Sequence, residues 1–176
     1  MKNIFNTRYE RLSIVEPEYV RRLITTDVGE KLQDRIYNNL KELENSYPDF
    51  AGWYYNTVIP EIELKDGKRE IILAISEVGE KKNFIITGIV ILKKTNCEKK
   101  ICTFRVHEEF RNRGIGTELF EQSFKYLDTR EPVITISENN IDMFKSHIIQ
   151  YKFKEYQILD GYYKSGIKEY VYNGVL

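Results

Sequence analysis

Two runs of Ile and Val, Glu70 to Val78 and Phe84 to Leu92, set the fold class. Strands with one wet face alternate apolar and polar residues; these runs do not, so they read as strands buried on both faces. A sheet with two such neighbours must carry helices above and below. A third strand, Ile101 to His107, follows the turn Thr95-Asn96-Cys97. Short links join the three, which predicts an antiparallel meander.

The flanking segments supply the covering layers. Residues 1–18 are polar, carry Pro17, and read as a loose arm or short edge element. Tyr19 to Thr25 is expected as a first strand. Asp27 is placed as an N-cap for a helix carrying Val28, Leu32, Ile36, Leu40 and Leu43 at helical spacing, ending near Tyr47-Pro48-Asp49. A short helix over Gly52 to Ile59 is expected to stop at Pro60, and Asp66-Gly67 marks a turn. After the meander, a helix from Gly114 to Asp128 presents Gly116, Leu119, Phe120, Phe124 and Leu127 on one face. Pro132 to Ile136 reads as a strand, and Ile141, Phe144 and Ile148 define another helix. Lys152 to Leu159 and Lys168 to Tyr172 close the chain as strands. The fold class is α/β in the α+β sense: one domain over residues 1–176. Its sheet is mixed, mostly antiparallel, six- to seven-stranded, and flanked by about four helices.

Charge and composition exclude several functions. Lys plus Arg and Asp plus Glu both number 27, so there is no basic surplus of the kind a nucleic-acid binder carries. The longest apolar stretch, Phe84 to Leu92, is interrupted by Thr87 and Gly88 and is too short to span a membrane. The N-terminus lacks the apolar region of a signal peptide. Cys97 and Cys102 define neither a disulfide framework nor metal-ligand spacing. The expected setting is cytoplasmic.

The stretch Phe104 to Phe120 carries the chemistry. A strand runs into the turn Arg111-Asn112-Arg113-Gly114-Ile115-Gly116, and the turn opens a helix. The first N–H groups of a helix have no internal partner, and the helix dipole places partial positive charge there. Such a turn is an anion site. Gly114 and Gly116 remove side chains that would block a pyrophosphate, and Arg111 and Arg113 add charge. A bare Gly-x-Gly fits a simple tight turn with solvated arginines equally well. Leu119 rules out Gly-x-Gly-x-x-Gly, and there is no Gly-Lys-Ser/Thr of a P-loop.

Arg-x-x-Gly-x-Gly between a strand ending in Val106 and an amphipathic helix resembles motif A of the GNAT acetyltransferase superfamily. The element order matches that fold over about residues 19–174, most firmly from Ile71 to Phe153. The resemblance implies acetyl-coenzyme A as cofactor. It implies that the backbone of Phe104, Arg105 and Val106 pairs with the pantetheine arm. It also implies that N–H groups from Arg111 through Asn112, Arg113, Gly114, Ile115 and Gly116 to Thr117 hold the pyrophosphate. The sheet would splay between the Ile101–His107 and Pro132–Ile136 strands, with the thioester in the gap and Asn140 touching the cofactor. Glu108 stands where many members have Pro.

The implied reaction is direct attack of a neutral amine on the thioester, so a base is wanted. Glu77, Glu108 and His107 are candidates, each set against a solvated surface role. The leaving thiolate is often protonated by a tyrosine on the late helix. Here that position falls on His147 or Ile148, and the usual Gly before Phe153 is Lys152. His147 could donate a proton, because imidazole titrates near neutrality. Cys102, alternating with Phe104 and Val106, reads as a small buried hydrophobe and not a nucleophile. Trp53 and Tyr54 on the short helix, with Tyr162 and Tyr163 between the last strands, are expected to wall an acceptor pocket. The expected partners are acetyl-coenzyme A and an amine, with a homodimer allowed. A non-catalytic acyl-coenzyme A-binding module on the same fold is the alternative.

Overall fold

A computed structural model describes residues 6–24 and 27–176. Its seven strands are β1 (Thr7–Arg11), β2 (Arg69–Val78), β3 (Asn83–Lys94), β4 (Lys99–Val106), β5 (Val133–Ser137), β6 (Glu155–Asp160) and β7 (Lys168–Tyr172). They form one sheet in the order β1-β2-β3-β4-β5-β7-β6. All neighbours are antiparallel except β4 and β5, which run parallel. The helices are α1 (Pro17–Ile24), α2 (Leu32–Leu40), α3 (Phe50–Trp53), α4 (Ile59–Glu63), α5 (Ile115–Leu127) and α6 (Ile141–Tyr151). Among the described residues no helix is long and apolar enough to cross a membrane.

The Ile/Val runs sit in the middle of the sheet and are buried on both sides, as their composition demands. Ile71, Leu73 and Ile75 of β2 pack under α1–α4, while Ile72 and Ala74 face α5 and α6. The polar arm supplies the edge strand β1. Its anchor is Glu70, fully buried, which accepts bonds from Arg11 Nε at 2.9 Å and the Ser13 amide at 3.0 Å. A buried carboxylate persists only with such partners.

Three expectations in the N-terminal third are corrected. Tyr19–Thr25 is not a strand: helix α1 runs to Ile24, and Thr25 lies outside the described residues. Val20 and Ile24, one turn apart, are both buried, and Pro17 opens the helix where its missing N–H is harmless. Asp27 does not cap the next helix, which starts at Leu32 behind Lys31, and Val28 is 92% exposed. Pro60 does not end the third helical stretch. A π turn at Tyr54–Val58, in which the Ile59 amide donates to Tyr54 O, carries the helix through the proline to Glu63. The wider turn displaces the carbonyl that the proline ring would strike in a regular helix. At the other end, Lys152 is the left-handed cap of α6 at φ 55°, so β6 begins at Glu155 and not at Lys152.

Helix α5 lies close over β3 and β4 because Gly88 lets it. A Cβ at Gly88 would come within 2.8 Å of Leu119 Cδ1 and 3.3 Å of both Ile115 Cγ2 and the Arg105 carbonyl. Leu119 and Phe120 are fully buried against this surface. Gly88→Val should therefore overpack the α5 seat and lower stability by about 1–3 kcal/mol, and Gly88→Ala should cost less. Denaturant melts of the two variants check the order.

Candidate active site

β4 and β5 pair at only two positions, Lys100 with Val133 and Ile101 with Ile134, and then diverge. Beyond them the facing edges of two strands in mid-sheet carry backbone groups with no strand partner. A cleft of about 400 Å³ fills the opening. Thr103 and Phe104 of β4, Thr135 and Ser137 of β5, and Asn140 and Phe144 at the start of α6 line one side; Tyr47, Trp53 and Tyr163 face them.

A β-bulge decides what β4 offers the cleft. Ile101 pairs with Leu92 and Thr103 with Ile91, leaving Cys102 as the extra residue. The expected alternation of Cys102 with Phe104 and Val106 is thereby broken. Cys102 joins the α1–α4 side, whereas Phe104 and Val106 face α5 and α6. Arg69 Nη1 donates to its Sγ at 3.4 Å, and burial pushes the thiol pKa up. Cys102 is half-buried and lines the cleft, and the raised pKa favours its thiol over the more nucleophilic thiolate.

After β4 the chain makes a short 3-10 turn, Glu108–Phe110, pinned by buried Phe110. Asn112 (φ 59°) and Gly114 (φ 87°) then adopt left-handed backbone. Gly114 is the N-cap of α5 and offers no side-chain cap. A Cβ there would meet nothing within 4 Å. The first ladder bond runs from the Glu118 amide to Gly114 O at 3.0 Å. The amides of Ile115, Gly116 and Thr117 precede it and are without a ladder partner. Arg111 Nε donates to Val106 O at 3.3 Å, and Arg113 lies over the Phe110 ring. The corner is open at Gly114 and carries the positive end of the α5 dipole beside Arg111 and Arg113, which fits a pyrophosphate. Arg105 contributes only backbone at this edge, because its side chain pairs with Glu42 at 2.6 Å.

Gly116 has a different role from the one expected. A Cβ there would lie 3.5 Å from His147 Cε1 and 3.8 Å from Val106 Cγ2, so the glycine faces α6 and not the mouth of the turn. His147 Nε2 is 3.3 Å from Thr117 Oγ1, and its ring lies 4.9 Å from Phe120. Burial lowers its pKa, so the imidazole is neutral near pH 7. It is a packed residue between two helices. Helix α6 buries none of its residues fully, yet it packs on α5 through the rings of Phe144, His147 and Tyr151. Asn140, the N-cap of α6, does not cap with its side chain and instead lines the cleft.

The structure separates the other candidates. Glu77 sits at the far end of β2, 3.8 Å from Lys82, and Glu108 is exposed at the head of the 3-10 turn. Neither lines the cleft. His107 is held by Asn39 Oδ1 at 2.9 Å, and burial lowers its pKa. Trp53 and Tyr163 do line the cleft. Tyr54 does not: it is fully buried and donates to Gln33 O at 2.9 Å, because the π turn rotates it into the core. Tyr162 stands outside, 54% exposed and edge-on to Tyr163.

One residue escaped the sequence reading. Glu169 of β7 is 2% exposed, and its Oε2 has no hydrogen-bond partner. It pairs with Ser137, whose side chain lines the cleft, and paired residues of antiparallel strands share a face. The alternation in Lys168 to Tyr172, which places Glu169 in the row of buried Val171, was the available signal. Burial, reinforced by the charge of Glu138, pushes its pKa up to about 7.

The family model of the GNAT acetyltransferases matches residues 34–147, more than half of the chain, and the chain belongs to that family. Solved structures share the fold. Arabidopsis thaliana NAA60 in complex with acetyl-CoA superposes with a TM-score of 0.60 at 15% identity, covering 94% of this chain and 96% of the other. The ribosomal-protein-S18-alanine N-acetyltransferase of Escherichia coli gives 0.58 at 12%, covering 94% and 91%. A GNAT-family protein from Desulfovibrio desulfuricans gives 0.60 at 11%, covering 94% and 96%. No curated protein matches the chain. Among the described residues no cluster of His, Cys, Asp and Glu could hold a metal ion.

Glu169 ties stability to pH. Its folded pKa lies above its ordinary 4.5, so between that value and about 7 the folded chain holds a proton that the unfolded chain has released. Stability is then full below the lower value and falls as pH rises through the window. Melting should drop by about 2–6 °C between about pH 5 and pH 8, and Glu169→Gln should flatten that decline. Calorimetric scans across the range check it.

Proposed function

We propose that the chain transfers an acetyl group from acetyl-coenzyme A to a primary amine. The observation that carries this reading is the pairing of two unfilled features. One is the start of α5, open at Gly114. The other is the β4 edge at Phe104, Arg105 and Val106 that β5 leaves unpaired. Pyrophosphate suits the first, through the amides from Arg111 to Thr117 and the charges of Arg111 and Arg113. An extended amide-bearing arm suits the second, as an added strand suits a sheet edge. The amine acceptor is supported by the named activities of the fold's relatives, including the E. coli N-acetyltransferase of ribosomal protein S18.

When bound, acetyl-coenzyme A supplies an activated acyl group as a thioester. The residues of this chain bind, orient and exclude water. Phe104, stacked on Phe120 at 4.3 Å, and Phe144, edge-on to it at 5.7 Å, give the cleft an apolar wall where the arm would pass. Asn140 offers a polar side chain at the same wall. Neither Glu77 nor Glu108 is placed to take a proton in the cleft. His147, neutral and packed against Gly116, Thr117 and Phe120, ties α6 to the first turns of α5. A thiol leaves readily because its own pKa is about 8.5, so no acid is required of this helix.

Isothermal calorimetry tests the cofactor. Wild type should bind acetyl-coenzyme A, and Gly116→Trp, which drives an indole into His147 in the first turn of α5, should weaken binding at least about tenfold. Unchanged binding would sink the reading. His147→Ala should raise the KM for acetyl-coenzyme A and leave kcat within about twofold. A large fall in kcat at saturating cofactor would instead assign His147 to the chemistry. Tight binding with no turnover on any amine would favour the non-catalytic module.

A further inference from the structure

Among the described residues, two buried side-chain atoms have no hydrogen-bond partner: Thr135 Oγ1 and Glu169 Oε2. Their position is informative. Thr135 and Ser137 are cleft-lining residues of β5, and Glu169, buried, lies directly behind that lining as the ladder partner of Ser137. On β7, Val171 lies opposite Thr135 and Glu169 opposite Ser137. The two orphaned oxygens therefore belong to one face of two adjacent strands, on a diagonal of the ladder. Side chains so placed are within reach of one small group between them. Buried polar groups are almost always satisfied, and an unsatisfied pair in one place needs an occupant.

Ionised Glu169 is acceptor-only and the Thr135 hydroxyl can accept as well as donate, so a donor group between them can satisfy both. Its charge is set by the surroundings. The titratable groups that Glu169 feels are Glu138 at the end of β5, Tyr47 ahead of α3 and Tyr163 in the β6–β7 loop. None is a cation. The Tyr47 and Tyr163 rings meet edge-to-face at 5.0 Å, and both line the cleft. Aromatic faces beside a carboxylate favour a cation.

We propose that Glu169 and Thr135 form the polar end of the acceptor pocket, where they receive the primary ammonium group of the acceptor and Glu169 takes its proton. This rests on the acetyl-transfer reading above. The step balances. One ammonium proton passes to the Glu169 carboxylate and leaves to solvent after turnover. The freed lone pair forms the C–N bond as the C–S bond breaks. The second nitrogen proton ends on the departing sulfur. An ionised acceptor carboxylate with a pKa near 7 is matched to this duty at neutral pH.

The probes are n-butylamine and 1,4-diaminobutane, with acetyl-coenzyme A at saturation. Carbon-13 NMR of glutamate-labelled protein, with Glu169 assigned from the Glu169→Gln spectrum, should show its titration midpoint move down when either amine is added. An unmoved midpoint overturns the proposal; so does a midpoint moved equally by sodium chloride at the same ionic strength. Glu169→Gln should lower kcat by about 100-fold or more and remove the acid limb of the pH profile. Thr135→Val should mainly raise the KM for amine. Wild-type kcat and acid limb retained in Glu169→Gln would mean that the carboxyl is a protonated core group only. Acetyl-coenzyme A calorimetry separates the failures. Cofactor binding with an unmoved midpoint removes this inference alone, whereas absent cofactor binding removes the underlying reading.

Discussion

The site depends on a sheet that fails to close. β4 and β5 share two residue pairs and then part, in the middle of a seven-stranded sheet where every other neighbouring pair shares at least four. Unpaired backbone groups at such a depth are expensive. The fold tolerates them because helices on both faces seal the split without filling it. The bulge at Cys102 begins the divergence, since an extra residue twists its strand away from the partner. Past it, Phe104 stacks on Phe120 of α5 and commits β4 to that helix. Helix α6 follows β5 and stays half-buried along its whole length. What results is a slot whose edges are hydrogen-bonding and whose walls are aromatic.

The start of α5 is held as firmly as the split is open. Asn112 and Gly114 both occupy left-handed backbone within three residues, an arrangement that costs about 1 kcal/mol or more for the non-glycine residue. Burial of Phe110 ahead of the turn and of Ile115, Leu119 and Phe120 behind it offsets that strain. Gly88 sets how near α5 comes to the sheet, so the amides at its N-terminus are aimed by packing several residues away. The anion site is thus a consequence of core geometry and not of the arginines alone. Arg111 is engaged with Val106 O and Arg105 with Glu42.

Much of this was legible in the chain itself. Ile/Val runs without alternation announce doubly covered strands, and a strand–glycine turn–helix junction announces an anion corner, because both signals are local. The N-terminal third misled for an equally physical reason. Val20 and Ile24 are too short a helical repeat to outweigh a strand reading, and the π turn that carries the helix through Pro60 has no single-residue signature. That turn also explains why Tyr54 belongs to the core while Trp53, its neighbour, reaches the cleft. Glu169 was missed because a lone Glu in a C-terminal strand looks solvated. Only the register with Ser137 shows which face it takes.

The two faces of the sheet divide the work, and this bears on which acid–base groups can matter. The proposed cofactor features belong to α5, α6 and the β4 edge. The proposed acceptor side is Tyr47 and Trp53, on the face covered by α1–α4, with Tyr163 against Tyr47. The two meet at the slot. A base must then reach the slot from the acceptor face, which Glu108 cannot do from the exposed turn beyond β4, nor Glu77 from the far end of β2. β7 pairs with β5 on the edge away from the split, and its residue opposite cleft-lining Ser137 is Glu169, whose Oε2 has no hydrogen-bond partner.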